Sequence, residues 1–178
     1  GDEIEKQTTE IKWDAEAAEK AGFEHFMMKE IHEQPKAVSD TINSVVKDGK
    51  IDLSEVGLDE DTIRNVSQIY IVACGSAYHT GVTAKYVIEG LARIPVEVDV
   101  ASEFRYRDPI LTPRTLVVAI SQSGETMDTL MALRHAREQG SKVLAICNTQ
   151  GASIPRESDA VLYTHAGPEV AVASTKAF

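Results

Sequence analysis

From residue 69 onward, apolar side chains come in short, unbroken blocks separated by turn residues. Ile69–Ala73, Val96–Val100, Leu116–Ile120, Val143–Cys147 and the brief Val161–Tyr163 each read as a strand. Most of these blocks show no polar alternation, so both faces are buried, as in a parallel sheet covered by helices. Tyr78–Leu91 carries Val82, Tyr86, Ile88 and Leu91 at helical intervals. Met127–Gln139 turns Leu130, Met131 and Leu133 inward and stops at Gly140. Strand, glycine-containing turn and helix thus repeat. The pattern predicts an α/β three-layer sandwich with a five-stranded parallel sheet over residues 61–178.

The first 60 residues read differently. Residues 1–20 are polar and acidic, with Ile4, Ile11 and Trp13 as isolated apolar groups, and form a lead-in. Phe23, Phe26, Met27 and Ile31 then make one apolar helical stripe. Gln34-Pro35 is expected to interrupt it, with Pro35 in the first turn of a second helix that carries Val38, Ile42 and Val45 and closes at Gly49. Leu53, Val56, Leu58 and Ile63 suggest a short helical connection. A final helix is expected around Glu169–Phe178, cut short by the end of the sequence. The division is thus a lead-in with N-terminal helices over 1–60 and one α/β domain over 61–178.

Charge sharpens this division. The net charge is −10, which argues against nucleic-acid binding through a basic surface. Residues 1–68 hold 17 acidic and 8 basic side chains, whereas the remainder holds 11 and 10. The nearly neutral part is where a small anion could sit. Cys74 and Cys147 do not make a disulfide framework and fit a reducing compartment. No apolar run approaches the roughly 18 residues of a membrane helix, and Gly1-Asp2-Glu3 does not open a signal peptide; a cytoplasmic location is expected. The histidines form no HxH, HExxH or mixed Cys/His cluster, so no metal and no cofactor are assigned.

In an open parallel sheet, ligands gather beyond the carboxyl ends of the strands. Two loops there follow a strand directly and open a helix. Ser121-Gln122-Ser123-Gly124-Glu125-Thr126 offers three hydroxyls, an amide and a glycine in six residues. Free N–H groups and the dipole of the following helix add to those donors. The loop has no lysine, unlike a nucleotide P-loop, which points to one phosphate group held by hydrogen bonds. Glu125 suits a capping-box role, and the plainer reading is that the loop is only a well-capped helix start. Across from it, Cys74–Gly81 places Ser76 as a further donor. Cys74 reads as a small buried strand-end residue rather than a nucleophile, and His79 is a conceivable but distant base. Arg105 and Arg107 could reach an anion, but a salt-bridged loop with Glu103 and Asp108 is the simpler reading. Gly151–Pro155 has turn composition and could border the pocket. Val172–Lys176 could close it.

Three segments together carry a resemblance: Ile71–Tyr78 (IVACGSAY), Ser121–Thr126 (SQSGET) and Ala166–Phe178 (AGPEVAVASTKAF), with Phe26–Pro35 (FMMKEIHEQP) ahead of them. The chain resembles the first sugar isomerase (SIS) domain of the glutamine–fructose-6-phosphate aminotransferase family. That family makes glucosamine 6-phosphate from fructose 6-phosphate and glutamine. The resemblance implies sugar-phosphate contacts at Ser76, Ser121, Gln122, Ser123, Thr126, Val172 and Ser174, with fructose 6-phosphate or glucosamine 6-phosphate as ligand. Family members often carry Thr in place of Ser76 and Ser in place of Ala77; the second difference removes a donor. The family's acid–base glutamate, its sugar-engaging lysine and its ring-opening histidine lie in the second isomerase domain or the C-terminal tail. No catalytic residue is therefore assigned, and the fragment is expected to be inactive alone. Implied partners are a second SIS domain, a glutamine amidotransferase domain and a second copy in a homodimer, with helices 22–47 at a domain or subunit interface. A sugar-phosphate-sensing SIS domain remains an alternative, as does a structural domain whose Ser/Gly loop only caps a helix.

Overall fold

The computed structural model describes residues 19–178; the lead-in with Ile4, Ile11 and Trp13 lies outside the described residues. The order of elements is α1 Phe26–Val45, β1 Val46–Lys47, β2 Lys50–Ile51, α2 Glu60–Asn65, β3 Gln68–Ala73, α3 Ser76–Ala92, β4 Val96–Val100, α4 Ala101–Phe104, β5 Thr115–Ser121, α5 Met127–Glu138, β6 Lys142–Cys147, α6 Ser153–Glu157 and β7 Ala160–Tyr163.

Strands β3 to β7 form one five-stranded sheet in the order β4-β3-β5-β6-β7, parallel throughout. The register aligns Ile71 with Val98 on one side and Val118 on the other. Because successive residues point to opposite faces, the two central strands feed two cores. Tyr70, Val72, Val117, Ala119, Val143 and Ala145 meet Phe104, Leu130, Leu133, Ala136 and Ile154 of α4, α5 and α6. Ile69, Ile71, Val118 and Ile120 meet Ala77, Ala84 and Ile88 of α3. The expected three layers are present: α3 covers one face and α4, α5 and α6 the other. Gly81 lets α3 lie close to the sheet, since an added Cβ would come within 2.8 Å of Ile71 Cγ2.

The N-terminal part departs from expectation in three ways. First, α1 runs through Pro35 without a break. An internal proline costs a helix about 3 kcal/mol, but contacts on both sides of it hold this helix in place. Gln34 Nε2 donates to the Thr175 carbonyl at 2.6 Å, Lys176 Nζ reaches Glu33 Oε2 at 2.7 Å, and Ala37 is buried against Ala166 and Ala177. Second, Gly49 does not close the helix. Val46–Lys47 pairs antiparallel with Lys50–Ile51, and Asp48 (φ 53°) and Gly49 (φ 73°) form the two-residue turn between them. Two consecutive positive φ values are what such a hairpin requires. Third, the apolar stripe of α1 is not its packed face. Met27, Ile31, Val38 and Ile42 are exposed, while Lys29, Glu30 and Ala37 are buried.

Only Glu60–Asn65 of the expected 53–63 connection is helical; it starts where the Asp59 carboxylate accepts the Thr62 N–H at 2.6 Å. The helix expected around Glu169–Phe178 is absent, and this segment is an irregular strap. Carboxylates take N–H groups of this segment, including those of Thr175 and Lys176 that a helix beginning near Glu169 would bond internally. Glu30 Oε1 accepts those of Val170 and Ala171, and Glu169 Oε1 those of Thr175 and Lys176. Once those donors are satisfied by side chains, helix formation gains nothing there.

Candidate functional site

Strand order reverses between β3 and β5. The chain leaves β3 through α3 to β4 on one side, and β5 through α5 to β6 on the other. Helices departing to opposite faces open a crevice at the carboxyl ends of two adjacent strands. The main candidate cleft lies at that crevice. It has a volume of about 350 Å³ and is lined by Cys74–Ala77 after β3, by Ile120–Ser123 and Thr126 after β5, and by Glu169, Ala171–Ser174 and Phe178 of the strap. All seven residues singled out above, Ser76, Ser121, Gln122, Ser123, Thr126, Val172 and Ser174, therefore border one cavity.

The 121–126 loop is built from its own hydroxyls. Ser121, buried at the end of β5, accepts the Gly124 N–H at 3.1 Å and lies 3.1 Å from Thr126 Oγ1. Ser123 Oγ accepts the Glu125 N–H at 3.2 Å, which leaves its own hydrogen to donate outward. The Gln122 carbonyl accepts the N–H groups of Asn148 and Thr149 at 3.2 and 3.3 Å, fixing the loop to the end of β6. Gly124 has φ +67° and sits against α6: an added Cβ would lie 2.6 Å from Ala152 Cβ.

Glu125 does not cap its own helix. Its Oε1 accepts the Ser153 N–H at 2.7 Å and so caps α6, and the hydrogen bonds from Ser153, with the charge of Arg156 adding, hold its carboxyl below the usual glutamate range. Thr126, the N-cap of α5, makes no side-chain cap bond. The N-cap of α3 is Gly75 (φ 59°), which has no side chain to cap with. Two helix N-termini therefore present uncapped first-turn N–H groups at the cleft, an arrangement that favours an anion. The cleft lining includes no Lys or Arg. Its donors are hydroxyls, an amide and backbone, so it suits a compact anion bonded directionally more than a polyanion.

Several expectations shift. Cys74 is only partly buried and lines the cleft, with the Thr129 hydroxyl 3.9 Å from its sulfur. His79 stacks edge-on to Tyr78 and does not line the cleft. Arg107 pairs with Asp99, and Arg105 lies 4.5 Å over the Tyr106 ring; neither reaches the site. Gly151–Pro155 is no plain turn, because its second half starts α6, which supports the 121–126 loop from behind. Among the described residues, no group of His, Cys, Asp and Glu could hold a metal ion.

Residues 62–178 match the SIS domain family. The chain belongs to that family. Over 179 aligned residues it is 64% identical to the glutamine–fructose-6-phosphate aminotransferase (isomerizing) of Streptomyces coelicolor and 62% identical to that of Corynebacterium diphtheriae. All of this chain is covered in each case, but it spans only 29% of either relative. Among solved structures, the C-terminal domain of the glucosamine-fructose-6-phosphate aminotransferase of Francisella tularensis matches 90% of this chain and 46% of its own, with a TM-score of 0.84 and 48% identity.

Sequence reasoning missed the groups that hold the strap of this SIS domain: Glu30 and Glu33 on α1, and Glu169 and Lys176 within the strap itself. Glu30 and the strap N–H groups it binds lie 140 and 141 positions apart, so no local pattern could have linked them. The two cysteines give a simple check on the geometry. Burial pushes the Cys147 thiol up to about 12, and its side chain is sealed beneath Gly124. Iodoacetamide at neutral pH is expected to label Cys74 and to spare Cys147 in the folded chain, as read by peptide mass spectrometry. Labelling of both at similar rates would contradict this placement.

Proposed function

We propose that the cleft binds the phosphate and carbon chain of a hexose 6-phosphate, fructose 6-phosphate or glucosamine 6-phosphate. Ser121, Gln122, Ser123 and Thr126 hold the phosphate, Ser76 faces the sugar from across the crevice, and Val172 and Ser174 flank its chain. The observation that carries this reading is the convergence of a lysine-free, hydroxyl-rich loop and two uncapped helix N-termini at the switch point of the sheet. The wider reading is that the chain serves as the first sugar-binding unit of an enzyme making glucosamine 6-phosphate from fructose 6-phosphate and glutamine, with residues 1–60 as its lead-in and 61–178 as the SIS domain. The high identity to such aminotransferases supports it.

In that reading the chain anchors substrate and leaves the chemistry to other parts of the enzyme. The cleft lining offers hydroxyls but no histidine or lysine to move a proton, and its one carboxylate, Glu169, is occupied by the Ser174 hydroxyl and two backbone N–H groups. Proton transfer to and from the sugar falls to a second SIS domain, ammonia comes from a glutamine amidotransferase domain, and the assembly is a homodimer. The exposed stripe Met27, Ile31, Val38 and Ile42 on α1 supports an interface on that side. Among the described residues no helix is long and apolar enough to cross a membrane. A cytoplasmic setting suits two free cysteines and a water-borne sugar phosphate.

Titration of the 178-residue chain with fructose 6-phosphate, followed by amide NMR, tests the reading. Shifts are expected at Ser121–Thr126, and Ser123→Ala should weaken binding by about 1–3 kcal/mol through loss of a charge-assisted donor. No shifts there at ligand concentrations on the order of millimolar would refute it. Robust isomerisation of the sugar by this chain alone would refute the division of labour.

A further inference from the structure

The strap that closes the cleft is held to α1 by groups that take no part in lining it. Glu30, on the buried face of α1, is 1% exposed, and its Oε1 accepts the N–H groups of Val170 and Ala171 at 2.6 and 3.0 Å. Its Oε2 is buried without a hydrogen-bond partner. One turn along, Glu33 Oε2 receives the Lys176 ammonium at 2.7 Å, with the Lys176 side chain 3% exposed. Gln34 Nε2 donates to the Thr175 carbonyl at 2.6 Å. Helix α1 thus grips the strap just before residue 172 and again just after residue 174. The stretch between the two grips, Val172–Ser174, lines the cleft together with Glu169, Ala171 and Phe178 of the same strap.

We propose that Glu30 is a positioning residue for the sugar side of the site: its buried carboxylate, with the Glu33–Lys176 pair as second anchor, fixes Val172 and Ser174 over the phosphate loop. The proposal rests on the reading of the cleft as a hexose-phosphate site. Its physical logic is the high cost of burying a carboxylate. An apolar residue would seat α1 on the strap more cheaply, but only an acceptor with fixed direction sets where two adjacent N–H groups lie. The second anchor is ionic at neutral pH. Burial pushes the Glu33 carboxyl up, but the hydrogen bond and charge of Lys176, with Lys29 behind it, more than reverse this and leave it below the ordinary glutamate value.

This division of labour separates two ligands. Inorganic phosphate needs only the 121–126 loop and the helix N-termini, whereas a hexose 6-phosphate also needs the strap. In NMR titrations of the 178-residue chain, Glu30→Ala should lower affinity for fructose 6-phosphate by about tenfold and leave affinity for inorganic phosphate within about twofold. Glu30→Gln keeps one acceptor oxygen and should recover most of the loss; it is also the variant to use if Glu30→Ala does not fold. Ser123→Ala, in contrast, should weaken both ligands together. An equal loss of both ligands in the Glu30 variants would reduce Glu30 to a general stabilising role and overturn the proposal, as would no loss of either. If the wild-type chain binds neither ligand, the reading of the cleft fails, and the clasp is then judged by amide hydrogen exchange. Exchange at Val170 and Ala171 should quicken by about tenfold in the Glu30 variants through loss of their acceptor; unchanged exchange there would overturn it.

Discussion

Gly124→Ala is expected to destabilise the chain by about 2–5 kcal/mol and to abolish measurable sugar-phosphate binding. Two separate costs combine. The first is conformational: Gly124 has φ +67°, a region where an L side chain costs about 1–2 kcal/mol. The second is steric. The new methyl group would sit 2.6 Å from Ala152 Cβ and 3.2 Å from Pro155 Cδ, both at the start of α6 and both buried. Overpacking of that kind costs about 1–3 kcal/mol, and relief requires the loop or α6 to move. Any such movement breaks the bond from the Ile154 N–H to the Gly124 carbonyl at 2.9 Å and displaces Ser123, which lies next to it. Gly151→Ala separates the two costs. Gly151 has φ +75° but nothing within 4 Å of an added Cβ, so only the conformational cost, about 1 kcal/mol, should appear. Thermal and urea unfolding of the two variants check the difference; equal destabilisation would show that the contact with α6 does not matter.

Phe104→Ala should cost about 3–5 kcal/mol in urea unfolding. Phe104 is fully buried and, among the described residues, is the largest side chain in that state. It meets Tyr70 edge-on at 5.6 Å and His135 edge-on at 6.2 Å, tying the short α4 to both the sheet and α5. Truncation to alanine leaves a cavity between three elements that the parallel sheet holds rigidly, so little collapse is available to offset it. Phe104→Leu keeps most of the volume and should cost about 1.5 kcal/mol or less. Because no residue of α4 lines the cleft, the remaining folded population should keep the fructose 6-phosphate binding proposed above. Loss of binding in proportion to stability would show that the site and this core are one cooperative unit.

The strands of the sheet were legible to within one residue at each end, for a plain reason. Val72, Val117 and Ala119 are sealed on both faces, and such positions admit only apolar residues. Helices α3 and α5 were equally clear, since each spans three or more turns with a glycine or hydroxyl before it. The 121–126 loop could be recognised because donors concentrated between a buried strand and a helix have few other uses. Short elements gave no such signal: α4 and α6 are too brief for a period to show, and the segment that carries Phe104 offered only its charged neighbours Glu103, Arg105, Arg107 and Asp108 to a local reading. The packed face of α1 was also hidden. The apolar stripe is exposed, and the packed side relies on Glu30 and Glu33, whose partners Val170, Ala171 and Lys176 sit at the other end of the chain, with Lys29 paired to Glu33 one turn away. The strap also failed as a helix, since Glu169 removes the Thr175 and Lys176 donors that a local reading assigns to it and Glu30 pins its start to α1.

The distance along the chain between α1 and the strap also orders events in time. The sheet grows from neighbouring strand–helix–strand units, whose contacts close short loops. The bonds from Val170 and Ala171 to Glu30 close a loop of 140 residues or more, and loop closure of that length comes late because its entropy must be met before any contact forms. The cleft is therefore expected to be completed last. A folding chain can hold its full sheet and both cores while the strap still hangs open. A ligand that binds only the closed form would then draw the final step forward, acting on the maturation of its site as well as on its occupancy.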